Sequence, residues 1–283
     1  MTSLYDCLCR PTRRLPLVLA ATASLFLVDG TAFAASTEWF ETEGGRIRLT
    51  ALAPSEDGTI RGVLDVDLLP GWKTYWRDPG DAGIPPSVDA DGSRNIRSVT
   101  LDFPPPERID DGYSVWAGYD APVAFPMTLH QQRPGRTSTL EATIFLGICE
   151  TVCIPVQTHF SLTIGPDHAP KSYETRLVDR AYADIPEPHG QDFHLLESGL
   201  SEQHDALVIS VSHPVSRSEP EIFVTGPAGW YLDIPERTAG EDNWSTFHVP
   251  IINAPENGDL SGTPLQLLVK SANRAMETQF ELR

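Results

Sequence analysis

Cysteine is scarce in this chain of 283 residues: there are four, and two of them, Cys7 and Cys9, fall within the first nine positions. That excludes a small fold stapled by many disulfides and a cysteine-rich zinc module. Positive charge is also short. Lys and Arg total 21 against 39 Asp and Glu, a formal net charge of −18. Such a balance opposes binding to nucleic acid or anionic lipid and favours solubility and a basic partner. No apolar run of about 20 residues follows residue 34, so no spanning helix is expected there. The 25 Pro and 21 Gly fall short of the roughly 25–30% that marks disordered chains. A Gly-x-Ser-x-Gly elbow, a phosphate loop and a His-Glu-x-x-His pair are all missing. No cofactor is expected.

What is present begins with an export leader, residues 1–34. Arg10, Arg13 and Arg14 precede an apolar stretch from Leu15 to Val28, and Ala32-Phe33-Ala34 offers a small-x-small cleavage site. Cys7 and Cys9 would leave with it, and the remainder would act in the periplasm. What is left suits one large domain or two of roughly 100–130 residues.

Along that remainder the apolar pattern has period two. Ile60, Leu64, Val66 and Leu68 alternate with polar neighbours, as do Val99, Leu101 and Phe103, and Leu207, Ile209 and Val211. Half-buried strands read this way. Further strands are expected at Ile47–Ala53, Val123–His130, Leu140–Cys149, Cys153–Ile164, Glu221–Thr225, Trp230–Ile234, Trp244–Ile251, Leu265–Lys270 and Thr278–Leu282. One stretch differs: Leu177, Val178, Ala181 and Tyr182 recur at helical spacing between Ser172 and Ala183. The fold class expected is all-β: two antiparallel immunoglobulin-like sandwiches, residues 35–168 and 191–283, joined by a helix and linker at 169–190.

Cys149 and Cys153 are the pair that survives the leader, with only Glu150-Thr151-Val152 between them. A ring so small stabilises a fold by about 2 kcal/mol in the loop-entropy picture, against about 3 for a 15-residue loop. Redox chemistry is therefore the better use for it. A three-residue hairpin loop would set the two cysteines opposite each other at disulfide distance. Parity then puts Ile144, Leu146 and Ile148 with Ile154, Val156, Phe160, Leu162 and Ile164 on the core face. Both cysteines point to the other face, toward solvent or a covering loop. A bulge at Gly147 would reverse that parity. Glu150 opposes a reactive thiolate, and no Lys, Arg or His stands nearby in the sequence to offset it. The bland alternative is an inert bridge, the commoner fate of exported cysteine pairs.

Several blocks occur in order: Gly71-Trp-Lys-Thr-Tyr-Trp-Arg-Asp-Pro-Gly-Asp-Ala-Gly-Ile-Pro-Pro86, Phe103-Pro-Pro-Pro-Glu-Arg108, Asp111-Gly-Tyr113, Gly118-Tyr119, Phe125-Pro126 and Cys149-Glu-Thr-Val-Cys-Ile-Pro155. Over roughly residues 40–165 they resemble the N-terminal periplasmic domain of the thiol:disulfide interchange protein DsbD, nearest the branch with the suppressor-of-copper-sensitivity proteins. The resemblance implies an immunoglobulin-like sandwich whose two cysteines, here Cys149 and Cys153, take electrons from a thioredoxin-like domain. They would pass those electrons to periplasmic isomerases or reductases. It also implies that one cysteine attacks and the other resolves, without saying which. The spacing is shorter than in the best-known members, and no counterpart of that family's acidic-aromatic cap segment is legible. Relatives of full length continue into a membrane domain and a thioredoxin-like domain. This sequence shows neither, so the donor is expected to be a separate membrane thiol transporter or thioredoxin-like protein.

Other constellations admit plainer readings. Trp72, Tyr75, Trp76, Tyr113, Trp116 and Tyr119 could cap the cysteines or offer a stacking platform, but aromatics of a β core explain them equally. Eight histidines, His189 and His194 among them, lack metal-ligand spacing. Two reduced thiols would suit Cu(I), a soft ion. Asp110-Asp111 reads as solvated loop charge. The leading expectation is thus a thiol–disulfide exchange protein. The rival is a binding scaffold with a structural disulfide, with or without Cu(I).

Overall fold

The computed structural model describes residues 36–80, 83–110, 112, 115–255 and 258–282. The leader with Cys7 and Cys9, together with Asp111 and Tyr113, lies outside the described residues. The strands of the first half are β1 (Phe40–Thr42), β2 (Gly45–Ala51), β3 (Thr59–Leu68), β4 (Lys73–Tyr75), β5 (Ser87–Asp89), β6 (Ile96–Leu101), β7 (Glu107–Asp110), β8 (Val115–Tyr119), β9 (Val123–Gln131), β10 (Ser138–Cys149) and β11 (Cys153–Ile164). Helix α1 (Ser172–Ala183) follows. The second half holds β12 (His194–Leu200), β13 (Ala206–Ser212), β14 (Glu221–Thr225), β15 (Tyr231–Leu232), β16 (Glu236–Glu241), β17 (Trp244–Asn253), β18 (Leu265–Ser271) and β19 (Arg274–Phe280).

These strands form two antiparallel immunoglobulin-like sandwiches. In the first, one sheet runs β1-β2-β3-β9-β6 and the other β11-β10-β4-β8-β7, with β5 adding to the middle of β10. The second pairs a sheet β12-β13-β17-β15, with β16 also on β17, against β14-β18-β19. Alternation explains the layers. Ile47 and Leu49 of β2, Leu64 and Val66 of β3, Phe125 and Met127 of β9, and Leu140, Ile144 and Leu146 of β10 are wholly buried in one core. Their neighbours along each strand face outward, as period two requires. Leu207, Ile209, Phe247, Val249, Leu265 and Leu267 fill the second core.

Helix α1 starts where the sequence places it. Glu174 accepts the Lys171 backbone N–H at 2.7 Å, which satisfies a donor that the first turn leaves open. The helix lays Val178 and Ala181 on Val63, Leu52 and Ala124, and so closes the outer face of the first sandwich. It is more than a connector.

The two sandwiches meet along a built junction. Phe223 and Leu268 of the second sandwich belong to the first core. The Phe223 ring lies edge-on to Trp76, with centroids 5.7 Å apart. Arg77 forks onto Glu277 at 2.6 and 3.0 Å and also donates to Gln266. Arg108 stacks 4.5 Å from the Phe223 centroid and donates to the Ile222 carbonyl at 2.6 Å. Lys270 returns the contact by donating to the Pro106 carbonyl at 2.7 Å. Burial lowers the Arg108 pKa from its ordinary value, against the opposing pull of Glu221 and Asp233. Fork geometry and stacking are what Arg supplies and Lys would not.

Candidate functional site

β10 and β11 pair without a register break over their whole length, from Ser138↔Ile164 to Cys149↔Cys153. A continuous register preserves parity. Ile148 therefore faces the core, and Cys149 faces away from it, as the sequence predicts. Glu150, Thr151 and Val152 make the turn. The two cysteines are joined by a disulfide, with Cα atoms 4.1 Å apart.

The two sulfurs differ in exposure. Cys149 is only 3% exposed, while Cys153 is open to solvent. Sheet order is the cause. β11 is the edge strand, so no further strand shields Cys153 among the described residues. β10 is flanked on its far side by β4, whose Lys73 and Thr74 pair with Cys149 and Ile148. The expected outward orientation holds for both residues, but only Cys153 is accessible.

What covers Cys149 is aromatic. Alternation along β4 sends Thr74 inward, where its hydroxyl donates to the Gly147 carbonyl at 2.7 Å, and puts Lys73 and Tyr75 on the cysteine face. The Tyr75 ring lies against Gly147: a Cβ there would come within 3.1 Å of the ring and 3.0 Å of Ile84. Trp116 of β8 sits edge-on to Tyr75 at 4.9 Å between centroids, over Gly118, where an added Cβ would collide with the indole. Two glycines thus make room for two rings to pack against the sheet. Cys149, Tyr75 and Trp116 form a small cluster of their own, with Ile84 and Ile109 packed around it.

The Tyr75 hydroxyl reaches both sulfurs, at 2.8 Å from Cys153 Sγ and 3.2 Å from Cys149 Sγ. Disulfide sulfurs carry no proton, so the hydroxyl is the donor. After reduction the same donor would favour a thiolate. Lys73 stands opposite Cys149 in register, its ammonium 5.1 Å from the Trp116 centroid, and brings a positive charge to this face. The Glu150 carboxylate comes beside Gly71 at the hairpin tip and opposes that charge.

The structure sorts the expected aromatic set. Tyr75 reaches both sulfurs, and Trp116 packs in the same cluster as Cys149. Trp76 and Tyr119 enter the first core, and Trp72 packs at its margin. Lys73, Gly147 and Gly118 were not legible as site residues, although the period-two reading of Lys73-Thr74-Tyr75 carries the signal for the first. His189 and His194 line an open cleft of the second sandwich with Glu197 and Glu281, and neither cysteine takes part in it. Among the described residues, no group of three or more His, Cys, Asp or Glu is placed to hold a metal ion. Nor is any helix among them long and apolar enough to cross a membrane.

Comparison with known proteins agrees with this geometry. Residues 47–164 match the family described as the N-terminal domain of thiol:disulfide interchange protein DsbD. Residues 184–283 match a domain of unknown function, DUF8393. Among solved structures, the N-terminal periplasmic domain of ScsB from Proteus mirabilis is similar over 88% of this chain and 98% of its own. The identity is 25% and the TM-score 0.73. No curated protein matches the chain.

Proposed function

From a first sandwich whose residues 47–164 belong to the DsbD N-terminal family, we propose that this is a periplasmic carrier of reducing equivalents working through Cys149 and Cys153. A membrane thiol transporter or a thioredoxin-like protein supplies a dithiol. Its electrons reduce the Cys149–Cys153 bond and leave two thiols on this chain. The client is a periplasmic disulfide isomerase or reductase. The export leader read at residues 1–34 and the likeness to a periplasmic domain support that compartment.

Unequal burial divides the work between the sulfurs. Cys153, on the open edge strand, attacks the client disulfide as thiolate. A bond forms between Cys153 Sγ and one client sulfur, and the other client sulfur leaves as thiolate and takes a proton. Cys149, held against Tyr75, then attacks Cys153 Sγ. The intramolecular bond returns, the second client thiol departs, and two electrons have passed to the client. Cover on Cys149 keeps it from stray disulfides, while its place opposite Cys153 keeps it in reach of the mixed bond.

The single observation that carries this reading is the disulfide at a hairpin tip with one sulfur open and the other beneath a hydroxyl-bearing ring. Trapping tests it. Cys149→Ser should accumulate a mixed disulfide through Cys153 with a periplasmic thiol protein, identified by mass spectrometry. A bridge that is merely structural gives no trapped species from either single variant.

A further inference from the structure

We propose that the groove where the two sandwiches meet, beside Trp116, is the docking site for the exchange partner's cysteine-bearing segment: an apolar, basic-flanked, extended stretch. This rests on the exchange reading above and extends it by giving the second sandwich a role. The groove has a volume of about 180 Å³, room for one or two side chains. Its walls come from both sandwiches, with Trp76 and Trp116 on one side and Phe223 on the other.

Four observations converge there. Trp116 belongs at once to the groove and to the cluster over Cys149, so the groove is continuous with the cover of the disulfide. Val115 of the first sandwich and Tyr231, Ile234 and Ile252 of the second also line it, and each is between 38% and 60% exposed. Large apolar side chains gathered on one rim mark an interaction surface more than scattered ones do. The Trp76 indole N–H is a buried donor with no acceptor among the described residues, and Trp76 lines the groove. A buried polar group normally has a partner, and a backbone carbonyl of a docked segment would supply one. Finally, the charged residues lining the groove are Asp78, Asp233 and Arg108, so acids outnumber the base, and Arg108 is drawn to both Glu221 and Asp233. In a chain of net charge −18 this favours a basic flank on the partner. The junction that forms the groove is fixed by Arg77–Glu277 and Trp76–Phe223.

The test uses the exported chain carrying Cys149→Ser, with Cys153 free. Two synthetic octapeptides each hold one cysteine as a disulfide with thionitrobenzoate. One surrounds it with Leu, Val and Lys, the other with Ser and Glu. The Cys153 thiolate attacks the peptide sulfur, the new disulfide forms, and thionitrobenzoate leaves as a coloured thiolate. The apolar, basic peptide should react at least about tenfold faster than the acidic one. Adding Ile234→Lys with Ile252→Lys, which removes the apolar rim and reverses its charge bias, should bring the ratio near one. Val215→Lys, exposed elsewhere on the second sandwich, should leave the ratio as it was. Equal rates for the two peptides, or a preference that survives the double substitution, would overturn the docking site and leave exchange intact. A Cys153 thiol inert even to the symmetrical thionitrobenzoate disulfide would instead remove the exchange reading itself. A dimer in sedimentation that Ile252→Glu dissociates would assign the groove to a second copy and likewise overturn the proposal.

Discussion

The apolar side chains beside Cys149 and those beside the junction are treated differently. The first sandwich covers even the outer face of its sheet near the sulfurs, laying Tyr75 over Gly147 and Trp116 over Gly118. The second sandwich leaves Tyr231, Ile234 and Ile252 exposed beside the junction. Shielding suits a sulfur that must wait for a particular partner, because an excluded face slows attack by stray thiols. Exposure suits a surface that must be recognised. On the proposed reading, chemistry stays on the first sandwich, and the second adds surface for contact.

The contrast is most severely tested by removing the open sulfur. Cys153→Ser should abolish mixed-disulfide formation altogether, measured by the same trapping assay in which Cys149→Ser accumulates it. Equal trapping by both single variants would mean that burial does not divide their roles.

Next in size is the junction. Phe223 is buried in the core of the first sandwich although it comes from the second. Phe223→Ala should cost about 3–5 kcal/mol and split a single calorimetric transition into two. One unchanged transition would mean that the sandwiches do not depend on each other.

Tyr75→Phe keeps the ring and removes the hydroxyl that reaches both sulfurs. One lost hydrogen bond of about 0.5–1.5 kcal/mol should slow exchange at Cys153 roughly two- to tenfold and raise the pKa of its thiol. A pH titration of alkylation rate reads both. An unaltered titration would make Tyr75 a cover and nothing more.

The smallest effect concerns the helix that belongs to the first sandwich alone. Burial pushes the Glu174 carboxyl up, but hydrogen bonds from the Lys171 backbone, Ser36 and Tyr173 outweigh it and leave its pKa below the ordinary value. A depressed carboxyl contributes stability above its unfolded pKa and loses it as pH falls through the folded one. Chemical denaturation between about pH 5 and pH 2 should therefore show a shallower acid loss in Glu174→Gln. The same acid slope in both proteins would deny Glu174 that role.

How much of this was legible in the sequence depends on range. The hairpin was readable because alternation over β10 and β11 and a three-residue gap are local signals. Helix α1 was readable from the spacing of Leu177, Val178, Ala181 and Tyr182. Lys73 and Tyr75 were not, because they meet Cys149 only through the pairing of β4 with β10, some seventy residues apart in the chain. Gly147, a candidate bulge by sequence, proves to be a gap for a ring in an unbroken register, so the parity stands. The short β1, β4, β5 and β7 escaped for lack of length, since three or four residues show no period. Arg77, Arg108 and Phe223 carry no mark that separates a junction residue from an ordinary strand residue.

The most direct measurement is the reduction potential of the Cys149–Cys153 pair, by equilibration against thiol–disulfide buffers of known poise. Carrier chemistry predicts a value between about −180 and −300 mV, within reach of periplasmic partners and thioredoxin-like donors. A value well below about −300 mV would mark a bond too stable to be reduced in service, and would contradict the account.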